Sequence, residues 1–200
     1  IHKIVFTGPE SCGKTTLVNL LSQKLNLPYV PEMARPFINS LNRKYEYDDL
    51  LSIAMLQMSE EERIKSMNPP LLICDTDLLT VKIWCDDKFQ RCEPWLSHAT
   101  IHRIPTIYFL CAPDFPWQPD PQREDPNRRE HLYNVYKEHM IQYKVRFVEL
   151  TGNFTQAGSF TPNTSLVQFT GASAHAVNGT ATLTSFNAIE KSGAGALSFG

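Results

Sequence analysis

The residue types that point to phosphate chemistry lie in one run, Gly8-Pro9-Glu10-Ser11-Cys12-Gly13-Lys14-Thr15. An apolar strand, Lys3-Ile4-Val5-Phe6, precedes it, and an amphipathic helix, Thr16-Leu17-Val18-Asn19-Leu20-Leu21, follows. The glycines let backbone N–H groups curl around a phosphate, the new helix adds its positive end, and Lys14 brings a mobile charge to the β- and γ-phosphates. Thr15 offers the hydroxyl that holds Mg²⁺ in such loops. Strand, loop, Lys-Thr pair and helix appear in register, which a chance Gly-rich turn would not produce. Gly8, Glu10, Ser11, Cys12, Gly13, Lys14, Thr15 and Thr16 are therefore the expected nucleoside triphosphate ligands.

Three further groups could act on a phosphate held there. Asp75 and Asp77 end the apolar run Leu71-Leu72-Ile73-Cys74. A carboxylate at the tip of a strand beside the P-loop strand is placed to orient water on Mg²⁺, so Asp75 with Thr15 is the expected metal set. Asp77 reads either as a helix cap or as a substrate ligand. Glu32 and Arg35 follow the short run Pro28-Tyr29-Val30. Glu32 is placed to reach a substrate hydroxyl, and Arg35 either anchors the substrate or pairs with Glu32. Arg123, Arg128 and Arg129 sit on a Pro-broken loop, where guanidinium groups suit a lid that closes on phosphoryl oxygens. Trp84, Trp95, Trp117 and Tyr108 supply aromatic faces that either pack in the core or stack on a ring.

The elements that must position these groups recur at βαβ spacing. Apolar runs at Thr106–Leu110 and Arg146–Leu150 join the three already named, and short continuous apolar runs between helices predict a parallel sheet covered on both faces. A helix is predicted from about Asp48 to Met67, with Leu50, Leu51, Ala54, Leu56 and Met58 on its apolar side and Ser59–Arg63 solvated. Another is predicted to start with Asp125 as cap and Pro126 as first residue. The fold class is thus α/β, three-layered, with a parallel sheet of about five strands and its ligand at the carboxyl ends of the strands. Residues 1–154 form the predicted P-loop domain. Residues 155–200 carry Glu190 and Lys191 as their formal charges among many Gly, Ser, Thr and Ala, and read as a tail or appended segment. A hairpin turning at Asn178-Gly179 is one form it could take.

Two hundred residues with a formal charge of −2 give no general attraction to nucleic acid or to an anionic membrane, so phosphate recognition must be local. The five cysteines, at 12, 74, 85, 92 and 111, form no CxxC pair and read as reduced apolar residues in a cytoplasmic protein. Cys85, Cys92, His98 and His102 contain metal-ligating types, but their spacing fits no familiar zinc module.

The segments GPESCGKTTLVNLL, PEMARPFI, DLLSIAMLQ, ICDTDLLTVKIW, DFPWQPDPQREDPNRR and FVELTGN together resemble the ribosylnicotinamide kinase domain of bacterial NAD-salvage proteins, over about residues 2–153. The resemblance implies a P-loop nucleoside-kinase-like fold that transfers the ATP γ-phosphoryl group to the 5′-hydroxyl of nicotinamide riboside, with Mg²⁺. It implies catalytic roles for Lys14, Glu32, Asp75, Arg123 and Arg128, ATP contacts from the P-loop and Arg129, and substrate contacts from Glu32, Arg35, Asp77 and Trp84. Some relatives carry an adenylyltransferase domain upstream. A kinase for another nucleoside, or a nucleotide-sensing module without such activity, would use the same loop.

Overall fold

The strands of the computed structural model are ordered by the alternation of their side chains. Described are residues 1–114, 116–121, 123–124 and 126–151, together with four later strands at 166–170, 175–179, 188–192 and 197–199. Strands β1 (His2–Thr7), β2 (Tyr29–Val30), β3 (Leu71–Asp75), β4 (Ile107–Cys111) and β5 (Phe147–Leu150) are parallel, in the order β2-β3-β1-β4-β5. Successive residues fall into different clusters. Ile4, Phe6, Ile73, Phe109 and Val148 pack on one face with Val18 of helix α1 (Lys14–Leu25). Val5, Leu72, Cys74, Tyr108, Leu110 and Phe147 pack on the other with residues of later helices. Each such buried side chain contributes roughly 1.5–3 kcal/mol, and burial on both faces fixes the register. The expected three-layer α/β fold is present.

The helices are α1, α2 (Ala34–Ser40), α3 (Tyr47–Lys65), α4 (Leu78–Phe89), α5 (Pro94–His102) and α6 (Arg129–Gln142). Two readings of helical sequence are corrected. In α3 the buried stripe runs through Leu50, Ile53, Ala54, Gln57, Glu61 and Ile64, while Leu56 is exposed. Glu61, assigned to solvated surface, is 6 % exposed, because Lys3 at the start of β1 reaches across to it, Nζ to Oε2 2.7 Å. Helix α6 starts at Arg129 rather than at Pro126; the cap proposed at Asp125 lies outside the described residues.

Beyond β5 the strands are β6 (Leu166–Thr170), β7 (His175–Gly179), β8 (Ala188–Ser192) and β9 (Leu197–Phe199). Strand β7 runs antiparallel along β5, with Glu149 opposite Asn178, and β9 continues the sheet beside β7. Strands β6 and β8 pair parallel with each other. Asn178 and Gly179, read as a hairpin turn, are the last two residues of β7. These two turn formers instead lie in a strand that pairs with β5, whose outer backbone donors and acceptors would otherwise be left unpaired. Among the described residues, no helix is long and apolar enough to cross a membrane.

Candidate active site

Backbone geometry builds the phosphate end. Gly8 has φ +133°, and a Cβ there would lie 2.6 Å from the carbonyl oxygen of Cys111 at the end of β4. A larger residue would therefore clash with backbone that the sheet holds in place. Gly13, at φ 81°, caps α1 in the left-handed region, and Ser11 also has positive φ, 55°. These positive φ values give the loop the tight turn that a backbone phosphate cradle needs. Lys14 folds back across the loop, donating to the carbonyls of Gly8 (3.0 Å) and Pro9 (2.6 Å). Burial would lower its pKa, but Cys12, Tyr136, Glu32 and Asp75 outweigh that and hold the ammonium charged. The Cys12 thiol, which burial would raise, is pulled down to about 6 by Cys111 and by Lys14.

Strand pairing places Asp75 opposite Phe6, at the same end of the sheet as the loop. Its Oδ2 accepts a hydrogen bond from Thr15 Oγ1 at 2.6 Å. Its Oδ1 is buried and accepts none among the described residues. An orphaned carboxylate oxygen beside the Lys-Thr hydroxyl is the donor set a hard divalent cation takes, so Thr15 and Asp75 fit Mg²⁺. Burial raises the Asp75 carboxyl, opposed by Thr15, Lys14 and Arg35.

An open cleft runs from this loop between the sheet ends, α2, α4 and α6. Glu32, Arg35, Trp84 and Arg123 line it, as the sequence led us to expect, with Gly8, Glu10, Ser11, Cys12, Gly13, Lys14, Thr15 and Thr16. Burial raises the Glu32 carboxyl, Lys14 opposes the rise and Asp75 adds to it. That leaves a carboxyl able to take a proton above the ordinary carboxylate range. Arg35 crosses the cleft to Asp120, Nη1 to Oδ2 2.7 Å. The P-loop side chains hold the arginine-rich loop: Ser11 Oγ accepts from Gln118 N (3.1 Å) and Arg123 Nη1 (3.4 Å), and Glu10 Oε2 accepts from Glu124 N (3.0 Å).

Three expected site residues sit elsewhere. Asp77 is 3 % exposed and caps α4, accepting from Leu79 N at 3.1 Å. Its other oxygen accepts from Tyr108 OH at 2.8 Å and faces Lys3 at 3.8 Å. The cap reading therefore replaces the substrate-ligand reading: the first turn of α4 draws the carboxylate into the sheet rather than the cleft. Arg129 is buried, donating to the Pro113 carbonyl beside the Trp117 ring, because it opens α6 against the end of β4. Arg128 donates to Asp87, Nη1 to Oδ2 3.0 Å, and so reaches the cleft through that carboxylate.

Sequence reasoning missed Thr80, Asp87, Lys88, Leu132 and Tyr136, all of which line the cleft. Trp84, Asp87 and Lys88 are three and four residues apart on α4, so the helical period starting from Trp84 could have found two of them. Lys88 contacts Glu124, donates to Tyr45 OH at 2.6 Å and lies 6.0 Å from the Trp84 ring centroid. Nothing in the sequence signals that long-range group.

A model of a family described as an AAA domain matches residues 3–157. The chain belongs to that family. Among solved structures, this AAA-family chain is similar to the NadR protein in complex with NR, at TM-score 0.66 and 20 % identity, over 80 % of this chain and 48 % of that one. It is also similar to the NadR protein in complex with NAD and AMP-PNP, at 0.63 and 18 %, over 78 % and 45 %. Thymidylate kinase from Ehrlichia chaffeensis matches at 0.52 and 14 %, over 78 % and 90 %. The chain thus spans about half the length of the NadR chains it matches. A comparison with curated proteins finds no match. The shared feature is the P-loop kinase-like fold.

Proposed function

We propose that the chain transfers the γ-phosphoryl group of ATP to the 5′-hydroxyl of nicotinamide riboside, giving nicotinamide mononucleotide. The observation that carries this reading is one cleft holding both a P-loop lysine and, across from it, a carboxyl with raised proton affinity, Glu32. The likeness to the NadR fold supports the choice of nucleoside.

The ATP phosphates replace the Gly8 and Pro9 carbonyls as partners of Lys14, and the N–H groups of the loop hold their oxygens. The adenine base takes the second hollow, on the outer side of the loop, lined by Thr16, Leu17, Pro116, Gln118 and Arg123. Thr15 and Asp75 would hold Mg²⁺, which would supply neutralisation of the phosphate charge. Glu32 orients the 5′-hydroxyl and accepts its proton as the O–P bond forms and ADP leaves. Arg123, which bonds Ser11 of the loop, stabilises the shifting charge. Phosphoryl transfer is mostly positioning and electrostatics, so a modest base suffices. The cationic pyridinium suits the Trp84 face with the Asp87 carboxylate one turn along α4, taking the place first given to Asp77.

Product analysis tests this reading. With a panel of nucleosides, ADP is expected to appear only when one is added, and nicotinamide riboside is expected to give the fastest turnover. Equal ADP release without any nucleoside would indicate a nucleotide-sensing module. Faster turnover of a different nucleoside would keep the kinase and change its substrate.

A further inference from the structure

His98 and His102 take no part in the cleft, yet they face each other. Both lie on α5, four residues apart and so on one face of the helix. Their Nε2 atoms are 2.6 Å apart and their ring centroids 3.9 Å apart. Both rings therefore turn the same nitrogen toward one point beside the helix. Both His98 and His102 are exposed, so that point is open to solvent. The cysteines grouped with them in the sequence are not available there. Cys85 is buried in α4, and the Cys92 sulfur accepts from Ser97 Oγ at 3.3 Å. The neighbouring cation, Arg103, is engaged by Glu61 and Glu62 at 3.3 and 2.6 Å, so its charge is balanced rather than set against a second cation.

We propose that His98 and His102 form a bidentate site for a borderline divalent transition-metal ion of the zinc or nickel type, with water completing its coordination. Two histidines four apart on a helix present two imidazole lone pairs to one ion, the spacing metal-binding helices use. Zn–N bonds of about 2.0–2.1 Å in a tetrahedral site place two nitrogens roughly 3.3 Å apart. A small rotation of the two exposed side chains opens the pair that far. Imidazole nitrogens select this class of ion over oxygen-preferring Mg²⁺, so the site is chemically distinct from the Thr15–Asp75 pair. Among the described residues no group of three or more metal-ligating side chains converges, which makes the site a two-point chelate with open positions, a surface staple across the last turns of α5.

Zinc salt alone, with the full chain and no nucleotide, is the probe. Equilibrium dialysis of the wild type, His98→Ala, His102→Ala and His102→Gln is compared with His131→Ala, a surface histidine on α6. Each variant of the pair is expected to bind zinc about tenfold or more weakly than wild type, while His131→Ala binds as wild type does. Zinc is expected to raise the melting temperature of wild type and of His131→Ala but not of the pair variants, since an ion that binds the folded state alone stabilises it. Alanine and glutamine favour helix, so melting without zinc shows whether each variant is folded. Superimposable isotherms for the wild type and the folded pair variants, or an equal loss in His131→Ala, would overturn the proposal.

Discussion

The two ends of the cleft are made in different ways. The phosphate end is backbone: Gly8 is pressed against Cys111, Gly13 turns into α1, and Lys14 and Thr15 follow within the same eight-residue run. The acceptor end is side chain, assembled from Glu32 and Arg35 near β2, Trp84, Asp87 and Lys88 on α4, and Asp120 and Glu124 on the arginine-rich loop. A backbone cradle is rigid and serves any nucleoside triphosphate. A cage of paired long side chains is adaptable, and under the proposed function its particular pairs set what the acceptor can be. We propose that chemistry common to the fold belongs to the first end and specificity to the second.

Lys14→Ala attacks the phosphate end and carries the largest expected effect. The β- and γ-phosphates lose their one P-loop cation, and phosphoryl transfer is expected to fall by several kcal/mol in the transition state, on the order of 10³-fold or more, with the fold retained. Circular dichroism and steady-state kinetics check both halves. Near-normal turnover would mean that the loop binds something other than the reacting nucleotide.

Glu32→Gln probes the meeting of the two ends. Turnover is expected to drop roughly 10²–10⁴-fold while ATP affinity holds. The pH profile adds a sign. Burial raises the Glu32 pKa above its ordinary value of 4.5, so the unprotonated base is gained as pH rises through that higher value. The rate of the wild type should climb over the same interval, and the Gln variant should lose that limb. A change in apparent nucleoside affinity alone would reduce Glu32 to a binding residue.

The cage is expected to answer differently. The Arg35–Asp120 pair is 2.7 Å long, but the Arg35 side chain is 46 % exposed, so breaking it with Asp120→Asn should cost less than about 1 kcal/mol of stability. Its effect should fall on nucleoside KM, by a few-fold, with kcat nearly unchanged. An equal loss in kcat would place the pair in the transition state.

Legibility followed the same division. The P-loop, Thr15 and Asp75 were readable because their chemistry is written in adjacent residues and in one strand end. The five parallel strands were readable from apolar runs alone. Tyr136 was not, since it joins the cleft only through the packing of α6, and while the helical period from Trp84 leads to Asp87 and Lys88, their long-range partners Arg128, Tyr45 and Glu124 carry no such signal. Asp77 was misplaced between cap and ligand because both roles use a carboxylate after a strand, and the choice depends on Lys3 and Tyr108, 74 and 31 positions away. Glu61 was misread for the same reason: its partner lies on β1.

The smallest expected effect concerns residues beyond the family match, which ends at 157. We propose that a chain ending there keeps ATP binding and turnover within a few-fold of the full chain. Strand β7 lies along β5, so the shortened chain should show a lower melting temperature and a greater tendency to aggregate at the uncovered edge. Loss of ATP binding in a folded fragment would bring the later strands into the site.

The central claim is tested most directly by following the phosphoryl group itself. With γ-labelled ATP, Mg²⁺ and nicotinamide riboside, the account expects label to appear in nicotinamide mononucleotide, in step with ADP. It expects none without the nucleoside and none with Lys14→Ala. Label released as inorganic phosphate at the same rate with and without nicotinamide riboside would contradict it.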